Sequence, residues 1–98
     1  MSLYVKFHLE TPYKNTEIIK IKEFPIMTEN KVIKEEFNKE VEQYALTNIS
    51  FIQHEIALTK KAEKQSKIIK QFIEDCKDCS NWQVLDTEIA LDLIQREG

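Results

Sequence analysis

The feature that most constrains the fold of this chain is the absence of glycine and proline between Pro25 and Gly98, a stretch of more than seventy residues. Glycine supplies left-handed turns at little cost and proline interrupts helices, so these two residues most often separate elements of structure. The stretch is instead rich in Lys, Glu, Ile, Gln and Leu, most of which favour a helix. We therefore expect helices to dominate the chain after Pro25.

The first 24 residues have a different pattern, in which apolar and polar side chains alternate as they do in β-strands. One face of the first predicted strand is apolar: Val5, Phe7 and Leu9. Residues 11–15 contain proline and asparagine and predict a turn. In the second predicted strand, over residues 16–24, two isoleucines lie opposite two lysines: Ile19 and Ile21 against Lys20 and Lys22. The sequence thus predicts a β-hairpin over residues 4–24, whose apolar face must be covered because an isolated hairpin is only marginally stable.

Helical spacing begins after Thr28, which we expect to cap a helix. The apolar positions that carry this spacing are Ile33, Phe37, Val41 and Tyr44. We predict helices over residues 29–46, 51–78 and 81–95, within a helical part that covers residues 28–96. The expected fold class is therefore α+β, with an N-terminal β-hairpin packed against two or three α-helices.

An alternative fold comes from an internal similarity between residues 48–59 and 81–92, which align without a gap and share the tetrapeptide Glu-Ile-Ala-Leu. This similarity implies that both segments adopt one conformation. Parts of residues 49–59 and 82–93 also alternate in polarity, so that conformation could be a strand. Strands in both places would extend the hairpin into a four-stranded antiparallel or mixed sheet, with ββαβαβ topology and two helices on one face.

The composition is that of a single small globular domain over residues 1–98, with 42% hydrophobic residues, 32% charged residues and a net charge of −3. No apolar run is long enough for a membrane span, and the N-terminus lacks the pattern of a secretory signal. The two cysteines do not form the framework of a secreted disulfide-rich protein, so we expect a cytoplasmic location. Residues 1–3 and 97–98 resemble remnants of cloning, and we assign them no function.

Signatures of catalysis and of cofactor binding are missing from the sequence. Glycine-rich loops that bind nucleotide phosphates need interior glycines, of which there are none. His8 and His54 have neither a Gly-flanked serine nor ligands at a matching spacing. Cys76 and Cys79 are weak candidates for a metal or thiol role, because zinc would need two further ligands and the flanking aspartates disfavour a thiolate. We therefore predict a protein that is not an enzyme and has no cofactor and no metal.

The charges are distributed unevenly along the chain. Five lysines, which we call the basic stripe, face one glutamate between residues 60 and 71: Lys60, Lys61, Lys64, Lys67 and Lys70. Residues 74–97 instead carry seven carboxylates against two basic residues. On one helix Lys60, Lys64 and Lys67 would lie within about 60° of each other. Such a stripe can contact phosphates, but it has no interleaved aromatic residues on which bases could stack.

The leading functional prediction is a non-enzymatic interaction or assembly module that self-associates into a homo-oligomer. It depends on apolar residues spaced four and three apart, as in a coiled coil: Phe37, Val41, Tyr44, Phe51, Leu58, Ile69 and Phe72. One alternative is a nucleic-acid-associated regulator that uses the basic stripe, although the acidic net charge disfavours it. A second alternative is a metal or thiol protein that uses Cys76 and Cys79. No membrane partner is expected, and the preference for Lys over Arg is typical of low-GC bacteria and their phages.

Overall fold

A computed structural model describes residues 2–13 and 16–97 of the chain. Lys14 and Asn15 of the predicted turn lie outside the described residues, as do Met1 and Gly98. The elements, in chain order, are β1 (Ser2–Leu9), β2 (Ile18–Pro25), α1 (Asn30–Thr47), α2 (Gln53–Leu58), α3 (Ala62–Cys79), β3 (Asn81–Leu85) and α4 (Thr87–Glu97), with a 3-10 turn over Ile49–Ile52 before α2. The predicted α+β class, with an N-terminal β-hairpin and helices packed on it, is confirmed.

The three strands form one antiparallel sheet in the order β2-β1-β3, so that the first strand of the chain is central. The hairpin pairs Ser2 with Pro25 at one end and Leu9 with Ile18 at the other. On its second side β1 pairs with a strand that follows it by more than seventy residues, and Phe7 lies opposite Trp82 in that pair.

The core lies between one face of this sheet and the helices α1 and α3. Three side chains of β1 point into it with no exposed surface: Val5, Phe7 and Leu9. The helices contribute Ile33, Phe37, Val41 and Ala45 from α1, and Phe72 and Cys76 from α3. Burial of these apolar groups is the main source of stability, at roughly 25 cal/mol for each Å² removed from water.

The lysines of β2 lie on the core face of the sheet, and this is the least expected feature of the packing. The register places Lys20 opposite Phe7 and Lys22 opposite Val5. Both ammonium groups contact the carboxylate of Glu40 on α1, each at 2.9 Å. Burial alone would raise the pKa of Glu40, but hydrogen bonds and charges from the two lysines outweigh it and hold the pKa below its ordinary value.

The predicted helix over residues 51–78 is interrupted. α2 ends at Leu58 and α3 begins at Ala62, so residues 49–58 are helical but do not continue into the next helix. The side-chain amide of Gln65 donates to the carbonyl oxygens of Ile56 (3.1 Å) and Thr59 (2.7 Å) and so links α3 to the end of α2 across the break. The apolar residues spaced four and three apart, from Phe37 to Phe72, are therefore divided among α1, the 3-10 turn, α2 and α3.

The predicted helix over residues 81–95 is wrong in its first part. Residues 81–85 form β3 because their backbone finds partners on β1, and the helix begins only at Thr87. The two similar segments therefore differ in their first parts, whereas the tetrapeptide that they share is helical in both. The described residues form three strands and not the four of the alternative fold. Thr28 is not the helix cap either, since its hydroxyl donates to the carbonyl of Pro25 (2.6 Å) and Glu29 precedes the first turn of α1.

Candidate functional site

One edge of the sheet is formed by β3, which has no strand partner on its outer side among the described residues. We call this surface the β3 edge; it consists of Asn81–Leu85. None of its five residues is charged, and the side chain of Val84 is 45% exposed. The opposite edge strand, β2, contains two lysines, a glutamate and a proline. Charged residues and proline normally protect sheet edges from pairing with other chains, so the β3 edge is the unprotected one.

Helix α4 leaves apolar side chains exposed beside this sheet. Its Ala90 is completely buried but does not belong to the main core, which indicates that α4 packs on the sheet away from α1 and α3. Ile89, Leu91 and Ile94 of the same helix are each more than 40% exposed. Apolar groups that remain in water on a helix at this density are typical of interaction surfaces.

The seven residues predicted for self-association are divided between the core and the surface. Phe37, Val41 and Phe72 are buried inside the subunit, so they cannot contact another molecule while the fold is intact. Tyr44 and Ile69 are half-buried against the same core. Phe51 and Leu58 are exposed, and the ring of Phe51 stacks on Tyr13 with centroids 4.8 Å apart.

The basic stripe is exposed along its whole length, but it is not a single helical row. Lys60 and Lys61 precede α3, whereas Lys64, Lys67 and Lys70 lie on one side of it. Within the described part of the chain, none of the five lysines contacts a carboxylate closely enough for an ion pair. The acidic C-terminal segment therefore does not neutralise the stripe within one subunit.

The two cysteines have free thiols and occupy different environments. Cys76 is in the core, where burial raises its pKa to about 11. Cys79 is the last residue of α3, and burial, followed by the nearby charge of Glu10, raises its pKa as well. Both groups are therefore protonated thiols at neutral pH, and neither has the electropositive surroundings that activate a cysteine.

A polar cleft of about 720 Å³ opens at the end of the hairpin, where residue types with ligand chemistry come together. It is lined by Glu10, Thr11, Pro12, Tyr13, Thr16, Glu17 and Cys79. The buried hydroxyl of Ser80 accepts a hydrogen bond from the backbone N–H of Glu10 (2.9 Å) and donates to its carbonyl (3.3 Å). Ser80 thus links the end of β1 to the end of α3.

Three ligand-type side chains converge at the rim of this cleft: His8, Glu10 and Glu17. Nε2 of His8 lies 3.0 Å from a carboxylate oxygen of Glu10 and 3.3 Å from one of Glu17. The three ligand atoms all lie within 4.8 Å of each other. Nε2 is buried, although the His8 side chain as a whole is 24% exposed, and it has no hydrogen-bond partner among the described residues.

Sequence reasoning missed this cluster because it considered each histidine alone. The available signal was the strand alternation, which places His8 and Glu10 on the same side of the first predicted strand and of its continuation beyond Leu9. The hairpin register adds Glu17. The last pair in the register is Leu9 with Ile18, and one further step in each direction brings Glu10 opposite Glu17. His54, on the exposed surface of α2, belongs to no such cluster in the described residues.

Comparisons with protein-family models, with curated proteins and with solved structures give no match for this chain. Among residues 2–13 and 16–97, no helix combines the length and the apolar character needed to cross a bilayer.

Proposed function

We propose that this protein is a non-enzymatic interaction module that associates with a second copy of itself through the β3 edge. The observation that carries the proposal is the uncharged edge of β3, which has no strand partner on its outer side among the described residues. Unpaired backbone N–H and C=O groups on such an edge can be satisfied by another strand. The free thiols of Cys76 and Cys79 are consistent with a location in the reducing cytoplasm.

A second copy fits this edge because β3 is self-complementary in the antiparallel direction. Pairing around a twofold axis at Gln83 would place Trp82 of each copy opposite Val84 of the other. Both side chains lie on the core face of the sheet, opposite Phe7 and Val5 respectively. Pairs of an aromatic and a β-branched residue are among the favourable cross-strand neighbours. The product would be a continuous six-stranded sheet, in which the edges left open are the protected β2 strands.

We expect Val84→Lys to weaken self-association strongly. The substitution places an ammonium group at the centre of the proposed contact, where it would lose water without gaining a partner. The dissociation constant of the dimer should rise at least about tenfold, or ~1.4 kcal/mol. Sedimentation velocity at micromolar concentrations measures the change.

Val32→Lys is the matched control for this substitution. Val32 is as exposed as Val84, at 48% against 45%, but it lies on α1 and away from the β3 edge. Its dimer should match that of the wild type. A wild-type protein that stays monomeric throughout the micromolar range, or a dimer that V32K weakens as much as V84K does, would contradict the proposal.

A second candidate function is favoured by the exposed and unpaired basic stripe. If the stripe binds nucleic acid, replacement of Lys64, Lys67 and Lys70 by Gln should lower affinity for single strands at low salt. The slope of log K against log salt should fall by about 2, since each lost phosphate contact accounts for roughly 0.7 on single strands. Fluorescence anisotropy with a labelled oligonucleotide measures both quantities.

The control replaces three exposed lysines of α1 in the same way: Lys31, Lys34 and Lys39. That variant loses the same net charge from another face of the molecule. Equal losses in the two triple variants would indicate non-specific attraction, and no binding by the wild type at low salt would exclude this function.

A further inference from the structure

We propose that His8, Glu10 and Glu17 form a binding site for one divalent transition-metal ion at the end of the hairpin. The site is independent of the β3 edge and of the basic stripe, and either the site or the interaction surface can exist without the other. Its ligands would be one imidazole nitrogen and two carboxylate oxygens, supplied by both arms of the hairpin.

The separations between the ligand atoms support a shared ion. Zinc binds nitrogen and oxygen ligands at about 2.0–2.2 Å, so two ligands of one ion are about 3.0 Å apart at a right angle and about 3.4 Å apart at the tetrahedral angle. Nε2 of His8 lies 3.0 Å from Glu10 and 3.3 Å from Glu17, within this range. Direct hydrogen bonds could also give such distances, but neither contact has the direction of a hydrogen bond. These separations are therefore compatible with one ion shared by the three side chains.

The electrostatics of the hairpin end also favour a cation. The register of the hairpin, continued by one pair beyond Leu9 and Ile18, places the carboxylates of Glu10 and Glu17 opposite each other. Like charges directly opposite in an antiparallel pair are destabilising. A divalent ion would compensate both charges at once, and neutral imidazole would complete the ligand set.

The backbone that carries two of the ligands is held in place by neighbouring side chains. Ser80 makes two hydrogen bonds to the backbone of Glu10. On the other arm, Tyr44 donates its hydroxyl proton to the carbonyl of Thr16, directly before Glu17. Burial raises the pKa of Tyr44, so its hydroxyl stays protonated and remains a donor at neutral pH. Both supports fix the backbone positions from which the side chains of Glu10 and Glu17 extend.

The donor set selects among metals. One imidazole and two carboxylates suit borderline ions such as Zn²⁺ and Fe²⁺, whereas Mg²⁺ and Ca²⁺ prefer ligand sets made only of oxygen. Glu17 is 63% exposed, so water can complete the coordination on that side. Cys79 lines the same cleft, but its sulfur is not among the atoms that converge within 4.8 Å. The site therefore has three protein ligands and is open to solvent.

Titration of the metal-free protein with Zn²⁺ in an isothermal calorimeter tests this site. We expect one ion to bind each chain, and Glu17→Gln to weaken binding at least about tenfold, because the loss of a ligand exceeds the effect of losing a supporting group. Glu42→Gln, on the exposed side of α1, is the matched control and should leave the affinity unchanged. Because Glu17 is exposed, its replacement should not disturb the fold.

Histidine provides a second and independent measurement. During the Zn²⁺ titration, the NMR signals of the His8 ring should shift or broaden, whereas those of His54 should not. No saturable binding in the micromolar range, equal affinities of E17Q and E42Q, or a response confined to His54 would each overturn the proposal.

Substitution of Cys79 by serine tests the number of ligands. If C79S binds Zn²⁺ as tightly as the wild type, the assignment to three ligands is supported. A loss as large as that of E17Q would overturn this assignment and place the metal on the thiol.

Discussion

Replacement of Phe7 by alanine should lower the free energy of unfolding by about 3–5 kcal/mol, the range observed for large aromatic side chains deleted from a core. Phe7 lies in the middle of the central strand with no exposed surface. Its ring contacts Phe37 edge to face, with centroids 5.6 Å apart, and is 6.4 Å from the ring of Phe24. The cavity left by the substitution would open between the sheet and α1, where rigid elements on both sides cannot close it.

Chemical denaturation followed by far-ultraviolet circular dichroism measures this loss, and Phe51→Ala is the matched control. Phe51 is 43% exposed and its main aromatic contact is a stack on Tyr13, so its loss should cost no more than about 1 kcal/mol. Equal losses of unfolding free energy in the two variants would contradict the central position of Phe7 in the core.

Glu40→Gln should destabilise the protein by about 1–2 kcal/mol at neutral pH. The substitution keeps the size of the side chain but removes the charge that both lysines of β2 contact. The loss is smaller than for a fully buried ion pair because Lys20 and Lys22 are partly exposed and can return to water. Thermal unfolding followed by circular dichroism measures the difference.

The pH dependence of this effect has a definite sign. The pKa of Glu40 is lower in the folded protein than its ordinary value of 4.5. The ionised carboxylate therefore contributes its full stability above that value and loses it as the pH falls through the lower folded pKa. The difference in stability between the wild type and E40Q should therefore decrease as the pH falls below 4.5, because the wild type loses more stability than the variant.

Glu42→Gln serves as the control for this series, because Glu42 is exposed two residues further along α1 and forms no ion pair within the described residues. Its effect at neutral pH should stay within about 0.5 kcal/mol. A gap between wild type and E40Q that persists unchanged at low pH would show that Glu40 acts through packing and not through its charge.

The sequence predicted those parts of the fold that depend on local patterns. The apolar spacing from Ile33 to Tyr44 located α1 to within a residue or two, and the alternation of Val5, Phe7 and Leu9 located β1 and its buried face. The hairpin followed from the same alternation in the first 24 residues. In each case neighbours in sequence carry the information, so no knowledge of distant contacts was needed.

The parts that failed depend on distant contacts. Residues 81–85 contain too few positions for a clear period, and they form a strand because β1 offers them backbone partners. The lysines of β2 were not expected on the core face, since only the position of Glu40 on a separate helix makes that orientation favourable. The cluster at the end of the hairpin needed the register of the hairpin, which the alternation predicts only in part.

The central position of β1 has a consequence for the order in which the molecule can assemble. Residues 4–8 pair with residues 81–85, so the sheet cannot be completed until residues 81–85 have left the ribosome. Until then the nascent hairpin would have an unpaired flank along its most apolar strand. Contacts so far apart in sequence also slow spontaneous folding, because a large loop must close before they form. Nascent chains of this protein are therefore exposed to aggregation through the free flank of β1 until residues 81–85 are available to pair with it.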